Sequence, residues 1–312
     1  MAQSLQERPV LRIGSRGSPL ALAQAREVKD RLATAAGHDA RIEIKVIRTT
    51  GDVIQDRPLA EAGGKGLFTK EIEEALLSGS IDLAVHSAKD MPTVLPPGLV
   101  LAGFLPREDA RDAFICRKAD SLDALPAGAV VGTASLRRQA MVKRLRQDLD
   151  VVTLRGNVET RLRKLDAGEV DATLLAVAGL KRLGLLSAAT AILDPDDFLP
   201  AVGQGAIGIE TRADDDASRT LVAAINDADT ATAIDAERAF LAVLDGSCRT
   251  PIGGHARLSR GTLRFQGMII KPDGTEAFEV FREGARENAD QMGADAGREL
   301  KERAGAGFFE RA

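Results

Sequence analysis

The chain has 312 residues, a net charge of −4, ordinary apolar content and two cysteines, Cys116 and Cys248. That length suits two or three domains, the sulfur count excludes a disulfide framework or a thiolate metal cluster, and no apolar stretch approaches a membrane span. Met1 to Pro9 holds no apolar signal segment, so a cytosolic, reducing location is expected.

In chain order, Val10 to Gly14 reads as a short apolar strand, followed by a polar loop and a helical pattern from Leu20 to Leu32. Ser18 followed by Pro19 is a helix-start signal, a capping hydroxyl and a proline at the first helical position. Arg41 to Arg48 alternates as a strand does, Leu67 to Leu77 is amphipathic, and Ile81 to His86 is a strand that runs into Ser87-Ala88-Lys89-Asp90-Met91-Pro92. The same arrangement recurs: strand from Ala129 to Gly132, helix from Leu136 to Leu145, strand from Asp150 to Leu154, helix from Val158 to Leu165, strand from Asp171 to Val177. Two such sets predict two α/β lobes. After Gly203-Gln204-Gly205 an acidic helical stretch is expected, then strands at Leu263 to Ile270 and Ala277 to Arg282 joined by a Pro-Asp-Gly turn, and a polar helix from Asn288 to Arg303. This last region reads as a small α+β domain with Cys248 on its first loop.

Charge is unevenly spread. Between Arg137 and Lys164 lie nine basic residues against three acidic ones, while Glu210 to Asp245 is strongly acidic. A basic block inside an acidic chain points to a site for an anion, although Arg144, Arg146, Arg163 and Lys164 fit solvated helix faces. The loops that follow the strands carry hydroxyl or cationic residues throughout: Ser15, Arg16 and Ser18; Ser87 and Lys89; Thr133, Ser135, Arg137 and Arg138; Arg155 and Asn157; Lys181 and Arg182. In open α/β sheets ligands gather at such strand ends. Arginine dominates there, and its planar fork suits carboxylates, so a ligand with several acid groups is expected.

Two residues stand apart from this cationic set. Asp90 is a carboxylate beside Lys89 at the end of an apolar strand; it serves either as a turn carboxylate satisfying backbone N–H groups or as an acid/base and counter-charge for a developing cation. Cys248 lies in a Gly-Ser-Cys-x-x-Pro-x-Gly loop after an apolar helical run and presents a single thiol, either a small buried hydrophobe or a nucleophile.

The segments GSRGSPLALAQ, GGKGLFTKE, HSAKDMP, GTASLRRQ, LRGNVETRL, AGLKRLG and PAVGQGAIGIE, together with the Cys248 loop, resemble in order those of the porphobilinogen deaminases, also called hydroxymethylbilane synthases. The resemblance runs from about Val10 to Gly253. It implies two periplasmic-binding-protein-like α/β lobes plus a small C-terminal α+β domain, with lobe 1 over 1–105 and 206–223, lobe 2 over 106–205, and the third domain over 224–312. It further implies joining of four porphobilinogen molecules into hydroxymethylbilane with loss of ammonia, on a dipyrromethane cofactor held through a thioether to Cys248.

By the same resemblance Asp90 is catalytic, and Lys89, Asp90, Thr133, Ser135, Arg137, Arg138, Gln204 and Gly205 hold the cofactor. Arg16, Ser18, Lys65, Phe68, Arg155, Arg161 and Arg182 handle substrate, with Lys65 in a lid that starts near Asp52. Ala134 departs from the serine or threonine common at its position, and Ala88 and Gly17 stand at variable ones. A monomer without metal is expected. Two other classes compete. A two-lobed solute-binding or effector domain would share the loops without needing Asp90 and Cys248 together. A nucleic-acid binder would explain the basic block, but the chain has no Trp or Tyr and no Phe inside that block.

Overall fold

The computed structural model describes residues 10–37, 41–53, 66–244 and 251–308. The chain opens with β1 (Leu11–Ser15), α1 (Pro19–Ala36), β2 (Ile42–Val46), the short α2 (Thr50–Val53), α3 (Lys70–Leu77), β3 (Leu83–Ser87) and β4 (Leu99–Phe104). Ser18 caps α1 by accepting the Ala21 N–H, and Pro19 occupies the first turn, where its missing donor costs nothing. The amphipathic stretch at Leu67 becomes helical only at Lys70, because 66–69 forms a turn.

A first crossover, 105–111, leads into β5 (Asp112–Cys116), β6 (Val130–Gly132), α4 (Leu136–Leu145), β7 (Asp150–Val152), α5 (Val158–Asp166), β8 (Ala172–Ala176), α6 (Val177–Arg182) and the two-residue β9 (Ala191–Ile192). These strands form one sheet in the order β7-β6-β8-β5-β9, parallel at β7, β6 and β8 and antiparallel at β5. Ser135 and Asn157 cap α4 and α5 by accepting the N–H groups of Arg138 and Thr160.

A second crossover, 200–206, returns the chain to the first sheet as β10 (Ile207–Arg212), a strand not expected from the residue pattern; α7 (Asp216–Ala223) follows and opens the acidic helical stretch that was expected. β10 inserts antiparallel between β3 and β4, giving the order β2-β1-β3-β10-β4. Each lobe is therefore a five-stranded sheet in which four strands run one way and one antiparallel strand, arriving directly from a crossover, lies next to the edge. The residue pattern hid this strand: it is buried on both faces, so alternation is lost.

The remainder, α8 (Ala228–Val243), β11 (Ile252–Ser259), β12 (Thr262–Ile270), β13 (Ala277–Ala285) and α9 (Ala289–Ala304), is a three-stranded antiparallel sheet backed by two helices. Its core gathers Ala236, Phe240, Phe265, Ile269, Ala296 and Leu300. Met268 and Ile270 instead join the core of the second lobe, beside Met141, Phe198 and Leu199, so this domain is welded to that lobe by apolar burial.

Candidate active site

β3 ends at the mouth of the first lobe and continues into a single 3-10 turn, Ala88–Asp90, which leaves the Asp90 carboxylate exposed. Asp90 borders a small cavity of about 60 Å³ with Arg16, Ser18, Phe68, His86 and Ser87. The Arg16 guanidinium lies 4.0 Å from the centre of the Phe68 ring, a cation–π contact that sets both side chains at the cavity wall. Gln24 fixes Ser87 by donating to its hydroxyl at 2.9 Å. The Ser18 hydroxyl serves the α1 cap as well as lining the cavity.

Across the crossovers the paired arginines are buried, and both converge on Asp112. Arg137 donates to Asp112 Oδ2 at 2.6 Å and to the Leu199 carbonyl at 2.6 Å. Arg138 donates to Asp112 Oδ1 at 2.7 Å and to the Leu174 carbonyl at 2.9 Å. Burial alone would raise Asp112; the two guanidiniums overcome it and hold the carboxyl well below the usual range. Gln204 completes the cluster, donating to Asp112 Oδ1 at 2.9 Å and to the Ala110 carbonyl at 2.7 Å while accepting from Lys89 Nζ at 3.3 Å. Thr133, itself buried, accepts from the Ser135 N–H at 3.2 Å and so shapes the turn that caps α4.

One acid against two arginines leaves a cationic excess, and the neighbouring groups register it. Lys89 is open to the water of the cleft yet crowded by protein; desolvation first and Arg138 second lower its ammonium to about 8, against the pull of Asp90 and Asp112. Arg161 is lowered to about 10 by burial, then by Arg138 and Arg155, with Asp90 opposing. Its Nε donates to the Gly156 carbonyl at 2.8 Å. Lys89, Asp90, Arg138, Arg155 and Arg161 thus share one electrostatic neighbourhood. Arg182 stands to one side, donating to Glu27 at 3.4 Å and to the Gly205 carbonyl at 3.1 Å, which ties α6 to α1 and to the second crossover.

Gly205 has φ +90°, and a Cβ there would lie 2.3 Å from the Glu108 carbonyl oxygen, so the two crossovers touch at a point only glycine permits. Of the sequence-predicted residues, Asp90, Lys89, Arg138, Arg155, Arg161 and Gln204 are drawn together, Arg16, Ser18 and Phe68 flank them, and Lys65 and Cys248 lie outside the described residues. Asp112, His86 and Glu210 were missed. A lone acid opening the apolar run Asp112-Ala113-Phe114-Ile115-Cys116 was the available signal, since a buried carboxylate needs a cation. Among the described residues no cluster of His, Cys, Asp and Glu is arranged to hold a metal ion.

Fold and site together define a two-lobed α/β protein with a cationic cleft fronted by a carboxylate. The family model described as porphobilinogen deaminase, dipyromethane cofactor binding domain, matches residues 11–220, and the one described as porphobilinogen deaminase, C-terminal domain, matches residues 231–302. The porphobilinogen deaminase of Nitrobacter hamburgensis is 67% identical over 300 residues, covering 95% of this chain and 94% of that protein. That of Paracoccus denitrificans is 54% identical over 99% of each chain, and the chloroplastic one of Oryza sativa is 54% identical over 96% of this chain and 86% of that protein. Among solved structures, the methionine binding protein MetQ aligns at 16% identity and TM-score 0.45 over 76% of this chain and 96% of that one. The sulphonate binding protein SsuA from Escherichia coli aligns at 17% identity and TM-score 0.41 over 77% and 72%. The chain belongs to the porphobilinogen deaminase family, enzymes of tetrapyrrole biosynthesis with a dipyrromethane cofactor.

Proposed function

We propose that this chain joins four porphobilinogen molecules into hydroxymethylbilane with release of four ammonia, with Asp90 as its catalytic carboxylate and Cys248 as the thioether anchor of the dipyrromethane. The observation that carries the residue assignment is the exposed Asp90 carboxylate, set on a cavity wall and electrostatically coupled to Lys89 and Arg161.

The residues present fit a dipyrromethane, each ring of which bears an acetate and a propionate. The site has more cation than anion, and the Nε of buried Arg137 has no hydrogen-bond partner. Lys89, Thr133, Ser135, Arg137, Arg138, Gln204 and Gly205 would hold it, Lys89 also meeting substrate carboxylates, and when bound it would supply the free pyrrole α-carbon to which the first substrate is joined. Arg16, Ser18, Lys65, Phe68, Arg155, Arg161 and Arg182 serve the substrate and the lengthening chain. Asp90 accepts hydrogen bonds from pyrrole N–H groups and offsets the positive charge that reaches the pyrrole nitrogen when ammonia departs. The arginines neutralise two further carboxylates per added ring.

The lobes divide as 1–105 with 206–223 and 106–205, and residues 224–312 form the domain that carries the anchor. No helix among the described residues is long and apolar enough to cross a membrane, and a cytoplasmic monomer acting on porphobilinogen, without nucleic acid or membrane, completes the reading.

Intact mass of the denatured protein tests it, followed by a peptide map. A dipyrromethane adduct on the Cys248 peptide is expected. A chain that stays unmodified after incubation with porphobilinogen overturns the assignment in favour of a two-lobed binding protein.

A further inference from the structure

Behind the cavity wall lies a buried acid–base cluster that the reading above does not use. His86, 5% exposed at the end of β3, lines the same cavity as Asp90, and its Nε2 is 3.1 Å from Oε2 of Glu210, which is fully buried on β10. Glu73 of α3 is buried close enough to feel both Glu210 and His86. Glu210 Oε1 is buried without a hydrogen-bond partner.

Two buried carboxylates side by side cannot both hold charge cheaply. Burial, the largest influence, pushes the Glu73 carboxyl up, which favours its neutral form beside Glu210 and His86. The other charged groups around the imidazole are Arg238 of α8, which Glu210 attracts, and Arg16 and Asp90 on the cavity wall. With Nε2–H donated to Glu210, Nδ1 is left to accept a proton, and Glu210 stabilises the imidazolium that results.

We propose that His86, oriented by Glu210, is a second proton-transfer residue of this site, distinct in task from Asp90. In each addition the aminomethyl group of porphobilinogen reacts as its ammonium: the C–N bond breaks and nitrogen leaves with the bonding pair as ammonia. A C–C bond forms from the methylene carbon to the free pyrrole α-carbon, and the α-C–H pair returns to the ring as its hydrogen departs as a proton. His86 Nδ1 takes that proton and passes it to the ammonia, which leaves as ammonium. Atoms and electrons balance with no further reactant, and Asp90 stays free to hold the pyrrole N–H groups throughout. This rests on the reading of the Asp90 cleft given above.

The test combines H86Q and E210Q with intact mass, pH profiles and imidazole ¹⁵N spectra; the chain has three histidines, His38, His86 and His255, so H86Q assigns the signal. H86Q is expected to keep the dipyrromethane mass and a KM within about threefold of wild type, while kcat falls by about 100-fold. It also loses the acidic limb of the kcat profile. In E210Q that limb and the His86 titration both move to lower pH, because the stabilising anion is gone. A loaded H86Q with kcat within twofold and an unchanged acidic limb overturns the proton-transfer role alone. A His86 ring that does not titrate between about pH 5 and 9 in the wild type does the same, and decides the matter even if H86Q does not fold. A wild type without adduct or turnover instead overturns the reading of the cleft on which this rests.

Discussion

Arg107 in the first crossover and Glu237 in α8 form a two-pronged ion pair, with Nη1 2.5 Å and Nη2 3.2 Å from the carboxylate oxygens. The same carboxylate, fully buried, accepts the Gly203 N–H of the second crossover and the Ala256 N–H of β11, each at 2.7 Å. Both crossovers and the third domain are thus pinned on one side chain. Glu237→Ala strands a buried guanidinium and two backbone donors, and removal of one partner from such a pair costs about 3–5 kcal/mol. A urea titration should show the midpoint falling accordingly; an unchanged midpoint would mean that water takes over all four donors.

Asp90→Ala should leave the cofactor attached and turnover lost by a factor of about 100 to 10,000. Intact mass and ammonia release, measured on the same preparation, separate the two effects. Near-normal release would make this carboxylate a turn former.

Cys248→Ser should fold and carry no dipyrromethane, whereas Cys116→Ala should carry the normal adduct. Cys116 is buried at the end of β5, in the apolar core of the second lobe, and its sulfur accepts the Lys118 N–H at 3.3 Å. Mass spectrometry of the two proteins decides. An adduct on the serine variant would move the anchor elsewhere.

Lys89 predicts a pH dependence of binding. Its ammonium is lowered to about 8, below the ordinary 10.5, so it is charged at pH 7 and largely neutral at pH 9. Carboxylates bind the charged form, so KM for porphobilinogen should rise through pH 8 with a proton taken up on binding. Lys89→Arg keeps its charge across that range, and its KM should lose that rise. A wild-type KM flat from pH 7 to 9 would show that Lys89 does not contact the ligand.

The strand–loop–helix order, the Ser18 cap and the span of α4 were legible because they are local: a cap, a period and a breaker lie within a few residues of one another. The site's cationic character was legible for the same reason. What stayed hidden depends on partners far along the chain. Arg137 and Arg138 were assigned to ligand carboxylates, and no local signal paired them with Asp112, some 25 residues earlier. β10 is recognised as a strand only by its neighbours, since Glu210 faces Ala84 across the ladder. Arg146, expected on a solvated face, gathers the carbonyls of Leu122, Asp123 and Leu125, a loop contact invisible to helical periodicity.

The insertion of β10 between β3 and β4 bears on how the chain is made. Among the described residues β4 has no other sheet partner, so the first lobe cannot complete its sheet until residue 212 has left the ribosome. The second lobe's strands all lie between residues 112 and 192 and can pair earlier. Synthesis begins with one lobe and finishes the other first, and the amino-terminal half waits with an unpaired strand edge until its last strand arrives.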